Sequence, residues 1–208
     1  MSASSKRGWI VGLTGASGAA YGVRLCERLL DMGIPVHLIV TDAGWRVLKE
    51  ELDWDVAKRA GTLAVKFGGR KAQIQYYPNQ DIGAAVASGS FRVDGMVVIP
   101  CSMGTLAAIA HGMSDNLLER AADVTLKEGR KLVLVPRETP LHAVHLQNML
   151  TLAQMGVRIL PANPGFYNRP RSIEEIVDFL VGKTLDSMGI DHELYPRWGE
   201  GAQHDEAE

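Results

Sequence analysis

Short, almost wholly apolar runs alternate along this chain with longer stretches in which apolar residues recur every three or four positions. The short runs cover 9–13, 36–40, 93–99, 131–135 and 157–160, with a weaker one at 74–77. They are too short for helices and rich in Val, Ile and Leu, so they predict strands. Because they are apolar on both faces, they predict a parallel sheet covered on both sides. The longer stretches predict helices over 19–32, 43–52, 105–111, 115–128, 141–155 and 172–188. In the first, Tyr21, Leu25 and Leu29 share a stripe and Gly33 supplies the stop signal. In the last, Ser172 stands as N-cap with Glu175 at the capping-box position. Residues 53–69 show no clear period. No repeat stands out. This alternation predicts an α/β fold: a doubly wound, mostly parallel sheet with helices on both faces. We expect one domain over 1–208, globular across 8–198, with flexible ends at 1–7 and 199–208.

Composition narrows the function classes. Lys and Arg number 22 against 24 Asp and Glu, a formal charge of −2 in 208 residues. A nucleic-acid binder working through bulk electrostatics would carry a strong basic excess. Cys26 and Cys101 are too few for a disulfide framework and read as reduced thiols in a cytoplasmic protein. The longest apolar runs fall far short of the ~20 residues of a membrane span. The start of the chain lacks the apolar core of a secretion signal.

In a doubly wound sheet, ligands sit beyond the C-terminal ends of the strands. The loops there are 14–18, 41–42, 100–105, 136–140 and 161–167, rich in Gly, Ser, Thr, Pro and charge. Thr14-Gly15-Ala16-Ser17-Gly18 joins a strand to a helix, where small residues let backbone N–H groups meet an anion. It also reads as a plain turn with Ser17 as N-cap. The dinucleotide and P-loop fingerprints are both absent, so the loop suggests a phosphate or a flavin without naming it. Asp42 leaves a ribose contact of the nicotinamide type open.

Arg120, Asp123 and Lys127 share a helical stripe that suits a phosphate, although the pattern alone reads as a solvated face. Glu138, at a strand tip beside Arg137, is either an acid–base group or half of a charged turn. Pro164-Gly165-Phe166-Tyr167 brings an aromatic ring and a phenol to another such loop. His142 and His145 lack a third ligand, so no metal site is expected. Cys101 lacks an activating base and reads as a buried core residue.

Taken together, these segments resemble one family. They are the 14–18 loop with Tyr21-Gly22, Pro100-Cys101-Ser102-Met103 with Thr105-Leu106, Glu119-Arg120-Ala121-Ala122-Asp123-Val124 with Leu126-Lys127-Glu128, Pro136-Arg137-Glu138-Thr139-Pro140, and Pro164-Gly165-Phe166-Tyr167. In order and spacing they resemble the UbiX-type flavin prenyltransferases, formerly described as aromatic acid decarboxylases, over about 9–198. The resemblance implies a Rossmann- or flavodoxin-like flavoprotein. In that family, reduced FMN is alkylated at N5 and C6 by a dimethylallyl unit from dimethylallyl phosphate. The prenylated FMN then serves a UbiD-type decarboxylase.

The resemblance also implies residue roles. Gly15, Ala16, Ser17, Thr41, Ser102, Met103, Gly104, Thr105 and Arg137 match FMN contacts. Ser88, Gly89, Arg120, Lys127, Arg137, Tyr167 and Lys183 match the substrate-phosphate region. Ser17, Glu51, Lys127 and Glu138 match catalytic positions, with Ser17 and Glu138 managing protons. Trp198 matches an aromatic beside the prenyl pocket. No metal is implied. Lys183 stands where many relatives have Arg, which exchanges a fork of donors for a point charge. The family's dodecamer completes its sites with neighbouring subunits. Two other readings are an FMN-dependent cysteine decarboxylase of the EpiD type and a non-catalytic FMN-binding protein.

Overall fold

The computed structural model describes residues 7–197. Six strands form one sheet, all parallel, in the order β3-β2-β1-β4-β5-β6. They are β1 (Trp9–Leu13), β2 (Val36–Val40), β3 (Ile74–Pro78), β4 (Gly95–Cys101), β5 (Lys131–Pro136) and β6 (Arg158–Ile159). The chain builds outward from β1 to β3, then crosses back to place β4 on the other side of β1. The strand order therefore reverses between β1 and β4, the switch point at which open α/β sheets open a crevice.

The period-2 alternation of a strand divides the core in two. Val11, Val97 and Val133 face one layer, with α1 (Ala19–Asp31), α2 (Asp42–Leu52), α3 (Arg59–Phe67) and α7 (Ile173–Met188). Ile10, Met96, Val98 and Leu132 face the other, with α4 (Met103–Ala110), α5 (Leu117–Lys127) and α6 (Ala143–Gln154). β1, β4 and all of β5 but its first residue are buried, which is why they read as unbroken apolar runs.

The structure departs from the sequence expectations at three elements. Helix α3 lies inside 53–69, where no period was visible. It buries only Leu63 and Phe67, contains Gly61 and has no side-chain cap, so its pattern is short and weak. An aromatic cluster holds it: Trp54 packs on Phe67 and Trp45, and Trp45 on Tyr76. Pro100 and Cys101 belong to β4 rather than to a turn. Proline brings no N–H to the ladder, and the β4–β5 register shifts between Val98 and Cys101. Helix α4 starts two residues early because Ser102, not a later residue, caps it. The expectations for 1–6 and 198–208 lie outside the described residues, as does Trp198.

At the switch point, Thr14 ties the two halves together. Its hydroxyl donates to the Pro100 carbonyl at 2.8 Å and accepts from the Ser102 N–H at 2.7 Å. Thr14 is buried, so these groups have no water to turn to. Thr14→Val should cost about 1–3 kcal/mol, the scale of a buried polar group left unpaired, whereas Thr14→Ser should lose far less. Urea unfolding of both variants checks this.

Candidate active site

The crevice lies at the C-terminal ends of β1 and β4. Gly18 opens α1 in the left-handed region, at φ 105°, and has no side chain to cap the helix. Glu51, in the last turn of α2, does so instead. Its carboxylate accepts from Gly18 N–H at 3.1 and 3.0 Å and from Ala19 N–H at 2.8 Å. A carboxylate at a helix N-terminus is electrostatically favourable. The cap of α1 is thus Gly18 with Glu51, not Ser17, and two of the N–H groups expected to face an anion already hold one.

Ser17 is exposed beside this pair, and its carbonyl accepts from Arg137 Nε at 3.3 Å. Arg137, just past β5, is also fastened by its own N–H to the Cys101 carbonyl. Glu138 follows it in the open, with Oε1 accepting the Thr139 N–H at 3.0 Å. Tyr21 packs so closely over Gly18 that a Cβ there would lie 2.7 Å from its ring. Burial raises the Tyr21 pKa, Glu51 raises it further and Arg137 opposes both. Its phenol therefore stays protonated at neutral pH, a donor within the field of Glu51 and Arg137. Tyr21 was not among the expected site residues. Its signals were a hydroxyl on an otherwise apolar stripe and its place in the Tyr21-Gly22 segment that carries the family resemblance.

Thr41 and Ser102 sit at the ends of β2 and β4 and cap the helices that follow. Thr41 Oγ1 accepts from Gly44 N–H at 3.0 Å. Ser102 Oγ accepts from Thr105 N–H at 3.3 Å and donates to Thr105 Oγ1 at 3.0 Å. Beside them, a Cβ on Gly104 would meet nothing within 4 Å, so the α4 start has open space above it, while Met103 turns inward and is buried. Gly15 packs on Ala43, leaving no room there for a side chain. The walls are thus backbone, hydroxyls and one arginine, with room over α4, a setting suited to a flat polar ring system carrying a phosphate. Asp42 is engaged by Arg59 at 3.0 Å and by Gln80 at 2.7 Å, so a ribose hydroxyl would have to compete with both partners there.

The expected phosphate residues do not all come together within one chain. Lys127 ends α5, pairs with Glu128 at 2.6 Å and lies against Gly89. Glu128 is held below the usual carboxylate range by that lysine. The 88–91 loop is pinned by Arg130, which donates to the carbonyls of Gly89 at 2.6 Å and Phe91 at 2.8 Å; sequence reasoning missed it. Ser88 and Ser90 share a hydroxyl contact of 3.0 Å. Arg120 pairs with Asp123 at 2.9 Å. Lys127 and the 88–91 loop adjoin the start of β5, whereas Arg137 and Glu138 follow its end, about 17 Å away at the rise of a strand. Arg120 stands apart from Lys127 in the first turn of α5, whose start is held by Asn79 just past β3. Tyr167 and Lys183 form a third group, along α7 on the other face of the sheet, with Tyr167 edge-on to Phe179.

The remaining candidates carry no chemistry. His142 and His145 stack at 3.5 Å, and among the described residues no group of His, Cys, Asp and Glu could hold a metal ion. Cys101 is fully buried, and burial pushes its thiol up to about 12, so no thiolate forms at neutral pH.

Comparison with known proteins fits this geometry. The Flavoprotein family model matches residues 1–185. The chain is 56% identical over 190 residues to the flavin prenyltransferase UbiX of Alkalihalophilus pseudofirmus, covering 91% of this chain and 95% of that one. The crystal structure of AnUbiX (PadA1) in complex with FMN and dimethylallyl pyrophosphate superposes with a TM-score of 0.86 at 39% identity, covering 95% of this chain and 100% of that one. A dodecameric FMN-dependent UbiX-like decarboxylase from Escherichia coli O157:H7 gives 0.83 at 44%, covering 91% and 98%. The cypemycin decarboxylase CypD, at 20% identity and a TM-score of 0.57 over 76% of this chain and 82% of that one, shares the fold alone. A likeness of this degree along nine-tenths of its length means that the chain belongs to the UbiX flavin prenyltransferases of the Flavoprotein family.

Proposed function

We infer that this protein is a flavin prenyltransferase that joins the dimethylallyl unit of dimethylallyl phosphate to N5 and C6 of reduced FMN. The observation that carries this reading is that Glu51 and Arg137 both bond the 17–19 loop at the switch point, with Glu138 next to Arg137 in the chain. FMN, when bound, supplies an electron-rich ring as the prenyl acceptor. In the reaction the allylic C–O bond breaks and its electron pair leaves with phosphate. One bond forms to N5 and a second to C6, the second at the expense of the prenyl C=C bond. Of the two protons displaced from N5 and C6, one adds to the other alkene carbon and one leaves with phosphate. The product, prenylated FMN, is suited to serve a UbiD-type decarboxylase.

This chain's residues have defined tasks in that scheme. Gly15, Ala16, Thr41, Ser102, Met103, Gly104 and Thr105 line the flavin's bed. Arg137, whose side chain bonds the Ser17 carbonyl, is assigned contacts with both the flavin and the leaving group. Glu138, exposed and anchored only through its own turn, hands a proton to the departing oxygen. Ser17, one residue from the Glu51-capped helix start, manages the proton at N5. Glu51 fixes that loop and contributes negative charge beside the allyl cation. Arg120, Lys127, Tyr167 and Lys183 stabilise the phosphate by charge-assisted bonds, with Ser88 and Gly89 shaping their surroundings. A metal-free leaving group demands this density of donors. Trp198, outside the described residues, is assigned to the prenyl pocket by resemblance.

One chain separates these phosphate ligands into groups, so we propose a homo-oligomer, a dodecamer, in which copies complete one another's sites. Exposed Val144, Leu146 and Leu150 on α6, with Met113 and Met155 nearby, support burial against another copy. No helix among the described residues is long and apolar enough to cross a membrane. We assign the protein to the cytoplasm, in keeping with its two free thiols.

The deciding experiment is anaerobic incubation with reduced FMN and dimethylallyl phosphate, followed by mass spectrometry of the extracted flavin. A gain of one five-carbon unit is expected; unaltered FMN, with binding verified, would overturn the reading. Glu138→Gln should keep FMN bound and slow transfer about 10²–10⁴-fold, the range of general acid–base catalysis. Stopped-flow spectroscopy of the flavin measures it. Lys127→Ala should weaken dimethylallyl phosphate binding about 10–100-fold, the worth of a charge-assisted bond, with FMN affinity little changed. Titration calorimetry of each ligand separates the two.

A further inference from the structure

The outer face of α7 carries a built cluster that the reaction scheme does not use. Phe179, Gly182 and Asp186 are three and four residues apart and form one stripe. After Gly189 the chain reverses, and its 192–197 segment lies along that stripe. Three groups of the segment converge on the Asp186 carboxylate. The Tyr195 hydroxyl donates to Oδ2 at 2.5 Å, and Arg197 Nη2 donates to Oδ1 at 3.0 Å. His192 Nε2 faces the same Oδ1 at 3.3 Å, with its side chain fully buried. His192 Nδ1 accepts the Leu194 N–H at 3.1 Å, while the buried Nε2 approaches the carboxylate without hydrogen-bond geometry.

Gly182 makes this possible. A Cβ there would stand 2.5 Å from the Tyr195 ring and 2.6 Å from the His192 ring. Glycine is a poor helix former, and here the missing side chain admits both rings.

From Tyr195, ring contacts lead to the loop after β6. Tyr195 packs on Phe179 with centroids 5.2 Å apart. Phe179 meets Tyr167 edge-on at 5.7 Å and 85°. Gly165 presses on the rim of Phe179 from the same loop. The clamp and the loop thus share one aromatic ring. Lys183 is the neighbour of Gly182 on the same helix, so both expected phosphate groups of this face stand beside the clamp.

We propose that Asp186 is a positioning residue. By holding Tyr195, His192 and Arg197 against α7, it fixes the Tyr195–Phe179–Tyr167 stack and thereby places the Tyr167 hydroxyl for the departing phosphate. The substrate role of Tyr167 rests on the function proposed above; the clamp itself is assigned no contact with flavin or substrate.

The test separates the two claims. Tyr195→Leu removes the ring and the hydroxyl, whereas Tyr195→Phe keeps the ring. A crystal structure of Tyr195→Leu should show Tyr167 displaced from its edge-on contact with Phe179. A Tyr167 ring left in place overturns the proposal, whatever the protein's activity. In kinetics, KM for dimethylallyl phosphate should rise about tenfold in Tyr195→Leu and in Asp186→Ala, equivalent to about 1.4 kcal/mol. Kd for FMN should stay within about twofold, and Tyr195→Phe, which keeps the ring on Phe179 but loses its bond to Asp186, should show a smaller rise in KM than Tyr195→Leu. In a Tyr167→Ala background, Asp186→Ala should add less than about twofold, as coupled positions require. Equal effects in both backgrounds, or a lower melting temperature with unchanged KM, would make the clamp purely structural. The flavin mass assay on the unmutated protein is scored apart. Its failure removes prenyl transfer and leaves the crystallographic arm to decide the clamp.

Discussion

Everything at the crevice hangs on the Thr14 hydroxyl. Where the strand order reverses, the connections after β1 and β4 lead to helices on opposite faces, and the loops between them have no ladder to hold them. Pro100 widens the problem by bringing no N–H to β4. Thr14 answers it by accepting from Ser102 and donating to Pro100, 88 and 86 residues away. The tie extends to a third loop through Arg137, whose backbone N–H reaches Cys101 and whose side chain reaches Ser17. The 14–18, 102–105 and 136–140 loops are thereby set as one frame on the end of the sheet. A site that must hold a flat ring and orient a small allyl phosphate against it needs such a frame, because small misplacements are costly in rate.

The charges assigned to flavin and phosphate are already matched within the chain. Glu51 occupies the α1 N-terminus, Lys127 holds Glu128, and Arg120 holds Asp123. The cations of the last two pairs are substantially exposed, and exposed ion pairs contribute only about 0–1 kcal/mol. Their partners can therefore be exchanged for a phosphate at small cost. The cations stay placed without ligand yet remain available to one. A fully buried pair would not permit this, since removing one partner strands the other.

The fold by itself does not specify the chemistry. CypD shares it at a fifth of the residues, and function resides in the loops grafted on the sheet. In this chain a carboxylate from α2 and an arginine from the loop after β5 meet the 17–19 loop at the switch point, while the buried thiols stay inert.

The sequence by itself determined the sheet and most of its helices. Strands buried on both faces must be apolar throughout, and amphipathic helices must repeat every 3.6 residues, so both leave periods that can be read locally. Ser102, Ser172 and Thr41 could likewise be read as strand-end or cap hydroxyls, because capping is a local act. Helix α3 escaped because an aromatic cluster from 45, 54 and 76 holds it, not its own pattern. Tertiary structure alone decided that Glu51 would cap α1 and that Tyr21 would stand beside Arg137. It also decided that Arg130 would pin the 88–91 loop and that Asp42 would be spent on Arg59. Most of these contacts join residues more than thirty positions apart, and no local period records them. The same reason explains the phosphate residues, whose motifs are legible in order along the chain. Whether they meet depends on which end and which face of the sheet each helix reaches, and that is fixed only when the sheet is assembled.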